Sequence, residues 1–307
     1  MTYARTRSKN RLIREGNPAF TVLMYIAAAV VLLITVYPMY YVMIMSISDP
    51  KDVLAKTVYF LPTGFFTDSY RYVLADPQLW RSLGNSAVYV AVTTVFHLVV
   101  CVLFAYPLAM PKLIGRSFFV WFLLIPMYFS GGLIPTFLVY TKLGLYNSIW
   151  ALILPASYSM MHIILLRTYF RHSVPLSLRE SAMIDGANNY QTLLRIYLPL
   201  STPVLAVVSI YCIVQVWNSW FPAMVYITDQ AFHPIQLYLK KVLVENNATS
   251  ITAALTPEEA EELYKATLVK IQLQYTVIVI TTLPILCVYP FLQKYFVKGI
   301  MIGSLKG

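Results

Sequence analysis

Charge is what this 307-residue chain lacks most: 12% of its residues are Asp, Glu, Lys or Arg, about half the share of an ordinary soluble domain. The deficit is spread over several apolar runs, each long enough to cross a bilayer, and it excludes a water-soluble multi-domain protein. Cysteine is scarce as well. Cys101, Cys212 and Cys287 stand far apart, each inside an apolar run, so there is neither a disulfide framework nor a metal-binding spacing. Buried small hydrophobes is their expected role. The chain has no His-Glu-x-x-His zinc motif, no Gly-x-Ser-x-Gly elbow and no Gly-x4-Gly-Lys-Ser/Thr phosphate loop. No catalytic residue, metal or cofactor is expected, and the chain cannot hydrolyse ATP by itself in the usual way. Ionisable groups are missing from the apolar runs, save Arg167 at the end of the fourth. Ion-coupled transporters place such groups at membrane depth, so their lack argues against a secondary transporter and against an enzyme using buried carboxylates. His97 and His162 are the exceptions, apart from tyrosines and cysteines. Each stands alone in the sequence, and hydrogen bonding between helices is preferred to a functional role.

What remains is an all-α membrane protein. Six transmembrane helices are expected over about 20–47, 85–110, 117–140, 149–168, 201–228 and 273–293. The basic start could introduce a signal peptide, but the first run is too long for one and reads as an uncleaved span. Residues 1–19, 111–116, 167–200 and 294–307 hold 14 Lys/Arg against three acids; the rest of the chain holds nine against ten. Excess positive charge marks the first set as cytoplasmic. Both termini then lie inside, which requires an even number of spans. The net charge of +10 thus follows topology and not nucleic acid. The organisation is a basic N-terminus (1–19), one six-span membrane domain (20–293) and a cytoplasmic tail (294–307). A cytoplasmic loop occupies about 169–200 and an external segment about 229–272. In that segment Thr256-Pro257-Glu258-Glu259 carries a helix-start pattern.

Glu180-Ser181-Ala182-Met183-Ile184-Asp185-Gly186-Ala187 is a polar island between two of the runs. Ser177-Leu178-Arg179-Glu180 has the form of a capping box, with Pro175 ahead of it. Gly186 can take the left-handed conformation that stops a helix, and Asn188-Asn189-Tyr190-Gln191 restarts one. Pro199 marks the end of that second helix. The expectation is a cytoplasmic helix-turn-helix between the fourth and fifth spans. Spacing alone equally admits an ordinary loop that happens to be helical.

Two spans carry backbone irregularities. The third has Pro126, Gly131-Gly132 and Pro135, flanked by Tyr128, Phe129 and Ser130. Broken helices are tolerated at membrane depth where they line a cavity or are buried in protein. The fifth has Gln215, Trp217, Asn218 and Trp220, followed by Pro222 and Tyr226. Aromatic faces stack on sugar rings and amides hydrogen-bond hydroxyls, so Tyr128, Ser130, Gln215, Trp217, Asn218 and Trp220 are candidates for a solute path. Aromatic belts at the membrane interface are the other reading. The tail has glycine at 299, 303 and 307 between lysines, a basic end suited to anionic lipid.

Glu180-x-Ala182, Gly186 four residues on, Ile196 ten further and Leu198-Pro199 resemble the "EAA" loop of ABC importer permeases. Ser181 stands where that family has Ala; both are small. In the family this loop docks into a groove on a cytoplasmic ATPase. The Phe129–Pro135 run, the Trp217-Asn218-x-Trp220 run and the tail resemble the carbohydrate (oligosaccharide and polysaccharide) branch, similar to the maltose-type permeases. The resemblance implies one of two homologous permease subunits of an importer in the bacterial cytoplasmic membrane. Its partners would be the second permease, two copies of an ABC ATPase and an extracellular solute-binding protein, with an oligosaccharide as cargo. It also implies that Glu180, Ser181, Ala182, Asp185, Gly186 and Ala187 couple the chain to the ATPase. A rival without an ATPase is a passive channel, or a membrane scaffold recruiting another cytoplasmic protein through the same loop.

Overall fold

A computed structural model describes residues 18–111, 113–247 and 267–287. The basic N-terminus, the Thr256–Glu259 pattern and the glycine-spaced tail lie outside the described residues. Helices dominate, and no strand occurs among the described residues. Four helices are long and apolar enough to cross a membrane: α1 (Pro18–Ile47), α4 (Pro77–Ala109), the pair α7–α8 spanning Trp150–His172, and α14 (Thr267–Cys287). Two bent helix pairs bring the candidate spans to six: α5–α6 (Arg116–Tyr128, Leu133–Lys142) and α10–α11 (Asn189–Leu200, Thr202–Trp217). Shorter helices complete the order: α2 (Pro50–Ala55), α3 (Asp68–Leu74), α9 (Leu176–Ile184), α12 (Phe221–Tyr226) and α13 (Ile235–Asn247).

The chain divides into two compact units. One comprises residues up to Ser69 with the stretch ending at Thr276; the other runs from Tyr70 to Thr256 and resumes at Val277. In the first unit most of α1 is exposed along its length although it is almost wholly apolar. Such a surface belongs in lipid or against another subunit, not in water. Its last turn is different. Ile44 and Met45 pack with Val53 and Val58 into a small core. There the buried Gln272 amide donates to the carbonyls of Ser48 (3.0 Å) and Phe66 (3.1 Å), fixing the turn after α1.

The second unit is built on α4, which starts at Pro77 rather than near residue 85 as the apolar run suggests. Asp76 caps it, its carboxylate accepting from the Gln78 amide at 2.8 Å. Its apolar side chains, Val88, Val95, Val99 and Leu103, are exposed. Its polar ones, Ser82, Ser86, Tyr89, Thr93, His97 and Cys101, recur every three or four residues and are all buried. This is the inverse of a helix in water, as lipid requires. Below the stripe, the second half of α4 packs with α8, α10 and α11 around Leu166, Phe170, Tyr197 and Val208.

Three expected spans are interrupted. The third run is not one helix: α5 and α6 are bent by 115° across Phe129–Gly132. Gly132 sits at φ +83°, open to glycine and strained for other residues. Pro135 then falls in the first turn of α6, where its missing N–H costs nothing. The fourth run breaks between Ala156 and Met160, after Pro155. The fifth stops at Trp217 rather than reaching residue 228, and α12 follows separately. His97 and His162, isolated in sequence, are partners: His97 Nε2 lies 2.7 Å from His162 Nδ1. His97 Nδ1 lies 3.0 Å from the Ala156 carbonyl and donates to it, so the His162 Nδ1–H is the donor to His97 Nε2. The expected interhelical hydrogen bonding is present, and it caps the carbonyl freed by the break after Pro155.

The loop after α12, a 3-10 turn at Gln230–Phe232 leading to the start of α13 at Ile235, is held by α4 side chains. Gln78 Nε2 donates to the Gln230 carbonyl (2.7 Å), Asn85 Nδ2 to Ala231 (2.7 Å) and Tyr89 Oη to Phe232 (2.9 Å). The Ile235 amide donates to Ser86 Oγ at 2.8 Å. Substituting Asn85→Ala would leave the Ala231 and His233 carbonyls without this donor, at about 1–3 kcal/mol. Hydrogen exchange over 229–236 should speed up while that of 176–200 stays unchanged. Equal protection in both proteins would show that water replaces the amide at no cost.

Candidate functional site

The island folds as two short helices and a tight turn. The box expected with Ser177 as N-cap is not formed: α9 begins two residues earlier than that box requires, at Leu176, with Pro175 in the N-cap position and no side-chain cap. The proline sets the entry backbone, and this moves Ser177 into the first turn. The stop is as expected. Gly186 has φ +82°, its amide donates to the Met183 carbonyl, and the Ala187 amide donates to Ala182. That pair of bonds is the Schellman ending, which satisfies the last carbonyls of a helix. The restart is a complete capping box: Asn188 Oδ1 accepts from the Gln191 amide (2.8 Å), and Gln191 Oε1 from the Asn188 amide (3.0 Å). Arg179 Nη2 reaches Asn189 Oδ1 at 3.3 Å and ties the two helices across the turn. In α10 the stretch Leu193–Tyr197 is wound as a π-helix. Pro199 follows; it cannot donate to the Arg195 carbonyl and its ring crowds that turn. The helix ends one residue past Pro199, and the chain bends by 80° into α11.

Glu180, Ser181, Asp185 and Gly186 are exposed, and Ala182 and Ala187 half-buried. Apolar side chains share the exposed hairpin: Met183, Tyr190 and above all Ile184, which is 86% accessible. A Cβ built at Gly186 meets nothing within 4 Å. The turn therefore faces outward, and a side chain there would contact only what lies outside the chain.

A cavity of about 300 Å³ lies in the second unit, at the low end of the range for small-molecule sites. Ser86, Tyr89 and Thr93 of α4 form one wall, Tyr140 of α6, Gln215 of α11 and Tyr226 of α12 the others. Tyr140 and Tyr226 rings lie 4.7 Å apart, and Thr93 Oγ1 is buried with no hydrogen-bond partner. Pro155 and Ala156, at the break of the fourth span, also line it, and Pro234 belongs to the clipped loop.

Of the six solute-path candidates, Gln215 alone lines this cavity. Trp217 is buried, 7% accessible. Asn218 turns back on its own helix, donating to the Val214 carbonyl at 2.9 Å. The Trp220 ring is covered by Lys240 Nζ, 3.2 Å from its centroid. Tyr128 is exposed near the α5–α6 bend, and Ser130 Oγ accepts from the Gly132 amide. Sequence reasoning passed over Ser86, Tyr89 and Thr93. Their signal was present as polar residues at helical spacing in an apolar run. Tyr226 follows the Trp217-Asn218-x-Trp220 run that marked the fifth span, whereas Tyr140 is one of 24 tyrosines with no such setting.

His233, beside the clipped loop, is buried; Lys241 Nζ is 3.2 Å from its Nδ1 and the Ile227 carbonyl 3.4 Å from its Nε2. Lysine donates, so Nδ1 must be unprotonated. Burial, then the Lys241 charge, lower the proton affinity of His233 below its ordinary value, outweighing the Ile227 carbonyl and Asp229. A depressed histidine pKa means stability that is complete above the unfolded value of about 6.5 and lost as pH falls toward the folded one. Acidification from neutral toward pH 5 should therefore loosen 227–241, read as faster proteolysis there. His233→Gln should flatten that dependence.

Comparison with known proteins bears on the whole chain. The family model described as "Binding-protein-dependent transport system inner membrane component" matches residues 88–302. Protein LplC of Bacillus subtilis (strain 168) is 38% identical over 279 residues, covering 89% of this chain and 90% of LplC. The polygalacturonan/rhamnogalacturonan transport system permease protein YtcP of the same organism is 36% identical over 296 residues, 95% of this chain and 99% of YtcP. A chain from the crystal structure of a bacterial ABC transporter involved in the import of the acidic polysaccharide alginate is similar with a TM-score of 0.80. It is 32% identical, and the match covers 96% of this chain and 100% of that one.

Proposed function

The chain belongs to the binding-protein-dependent transport system inner membrane component family and is a permease of an ABC importer; from that premise we propose that it carries an oligosaccharide through the bacterial cytoplasmic membrane, driven by a separate ATPase gripping the 169–200 hairpin. The exposed Gly186 turn, with Met183, Ile184 and Tyr190 around it, carries the coupling part of this reading. A solvated loop has no need of that apolar surface, whereas a docking helix does. Glu180 and Asp185 stand exposed beside it, free to pair with basic groups of the partner.

In this reading each bent pair counts as one span, which makes six. Both termini and the hairpin face the cytoplasm, as the excess of Lys/Arg favours. A second homologous permease completes the pathway, two ATPase subunits dock beneath, and an extracellular binding protein delivers the solute. ATP closes the ATPase pair, the hairpins move with it, and the spans alternate between outward and inward openings. The domain limits of 20–293 for the permease and 294–307 for the tail belong to the same proposal.

The cavity supports the cargo. Hydroxyls of Ser86, Tyr89 and Thr93, the Gln215 amide and the Tyr140 and Tyr226 rings suit a polyhydroxylated solute. YtcP is named for polygalacturonan/rhamnogalacturonan and the solved relative for alginate. Uronate-containing oligosaccharides are therefore the first cargo to assay.

Gly186→Asp should insert in the membrane normally, abolish uptake and lose the ATPase on co-purification. Retained ATPase with normal uptake would refute the docking role. Gln215→Ala should weaken uptake about fivefold, the worth of one hydrogen bond of ~1 kcal/mol, with the ATPase still bound. Uptake that is unaltered at limiting solute would place the path elsewhere.

A further inference from the structure

Three arginines of the second unit meet where its apolar helices end. A pocket of about 380 Å³ opens between the end of α4 (Ala109, Pro111), the start of α5 (Arg116) and the strap from α8 into α9. Arg116 and Arg171 line it, with Phe170 and Tyr197 beside them. Arg167 lies one helical turn before Arg171, and the charges of both Arg116 and Arg171 act on it. Among the described residues, no carboxylate is among the charges acting on Arg167. Like charges at four-residue spacing repel, and a third guanidinium adds to the repulsion. Arg116 Nη2 is moreover buried without a hydrogen-bond partner. An unpaired N–H of a cation, withdrawn from water, is costly unless something else accepts from it. Arg116 also opens α5, whose N-terminus no side chain caps, so free backbone amides begin at the same place.

The position narrows the missing anion. Ends of apolar spans lie at the depth of lipid headgroups, where basic pockets between helices hold phosphate-bearing lipids. Planar guanidinium forks match phosphate oxygens in pairs. We propose that Arg116 and Arg171, with the charge of Arg167 behind them, form a phosphate-binding site, filled by the headgroup of an anionic phospholipid or by a soluble phosphate. Val174 and Leu176, the strap leading into α9, line the same pocket. A bound phosphate therefore braces the root of the hairpin. That consequence rests on the docking role proposed above; the binding itself does not.

The full-length chain, purified from bacterial membranes in mild detergent, provides the test, compared with Arg116→Gln/Arg171→Gln. Native mass spectrometry counts retained phosphatidylglycerol. Thermal unfolding of delipidated protein in millimolar inorganic phosphate, with sulfate-free chloride as control, tests the soluble ion. Two guanidiniums, each worth about fivefold in affinity for anionic lipid, predict roughly 30-fold weaker retention in the double variant. Arg116→Lys/Arg171→Lys keeps the charge without the fork and should fall between. Arg195→Gln, an exposed arginine of α10, should retain lipid as wild type does and controls for net charge. Lipid lost only from the pocket variants assigns the headgroup. A phosphate-induced rise in the unfolding temperature of wild type alone assigns the soluble anion. Equal retention with no phosphate effect overturns the proposal, as does loss of a bound acidic protein partner without either effect. A monodisperse elution profile of the double variant guards against misfolding. Uptake, assayed separately, can fail while lipid retention persists, and this outcome would count against transport and not against the site.

Discussion

A peptide group left without a partner in an apolar surrounding costs several kcal/mol, and this constraint governs the second unit. The unit breaks its helices repeatedly, and each break frees backbone groups. The buried polar stripe of α4 receives them. His97 takes the Ala156 carbonyl, Asn85 and Tyr89 take carbonyls of 231–233, and Ser86 accepts the Ile235 amide. A helix long and apolar enough to be a plain membrane span is thereby the scaffold on which irregular backbone is hung. Without these side chains the breaks would have to close into regular helix or admit water.

The cavity is a consequence of the same arrangement. Opposite the continuous α4, part of its wall is made where helices stop: Pro155 and Ala156 at one break, Ser219 beyond the end of α11, Pro234 in the loop held by α4. Continuous helices packed by ridges and grooves would fill that space with side chains. Broken ones leave room, and they leave polar atoms such as the Thr93 hydroxyl facing it. The solute path proposed above needs both, and the broken helices supply both from one device.

The hairpin obeys a different rule, since its geometry is almost entirely local. The Schellman bonds at Gly186, the capping box at Asn188 and the bond from Arg179 to Asn189 all join residues within about ten positions. Such a unit can hold its shape independently of the spans, which is what the proposed docking role asks of it. Its attachment is less local. The strap at Val174 and Leu176 borders the arginine pocket, so whatever neutralises those guanidiniums also bears on the hairpin's root.

How far each feature could be read from the chain follows from these distances. Membrane character, the helical class, the glycine stop and the Asn188 restart were legible, because they depend on composition or on contacts within a turn or two. The Pro126, Gly131-Gly132 and Pro135 signals marked irregular backbone, but not that the third run would turn back by 115°; bend angle is set by neighbours. The break after Pro155 was not read from the chain at all. Ser177 misled because Pro175 set the helix start first. What the chain alone left open was pairing over long separations: His97 with His162, the α4 stripe with residues 230–235, Arg116 with Arg167 and Arg171. A polar residue in an apolar run announces that it needs a partner. Which partner it finds depends on how the helices pack, and only the tertiary structure decided that.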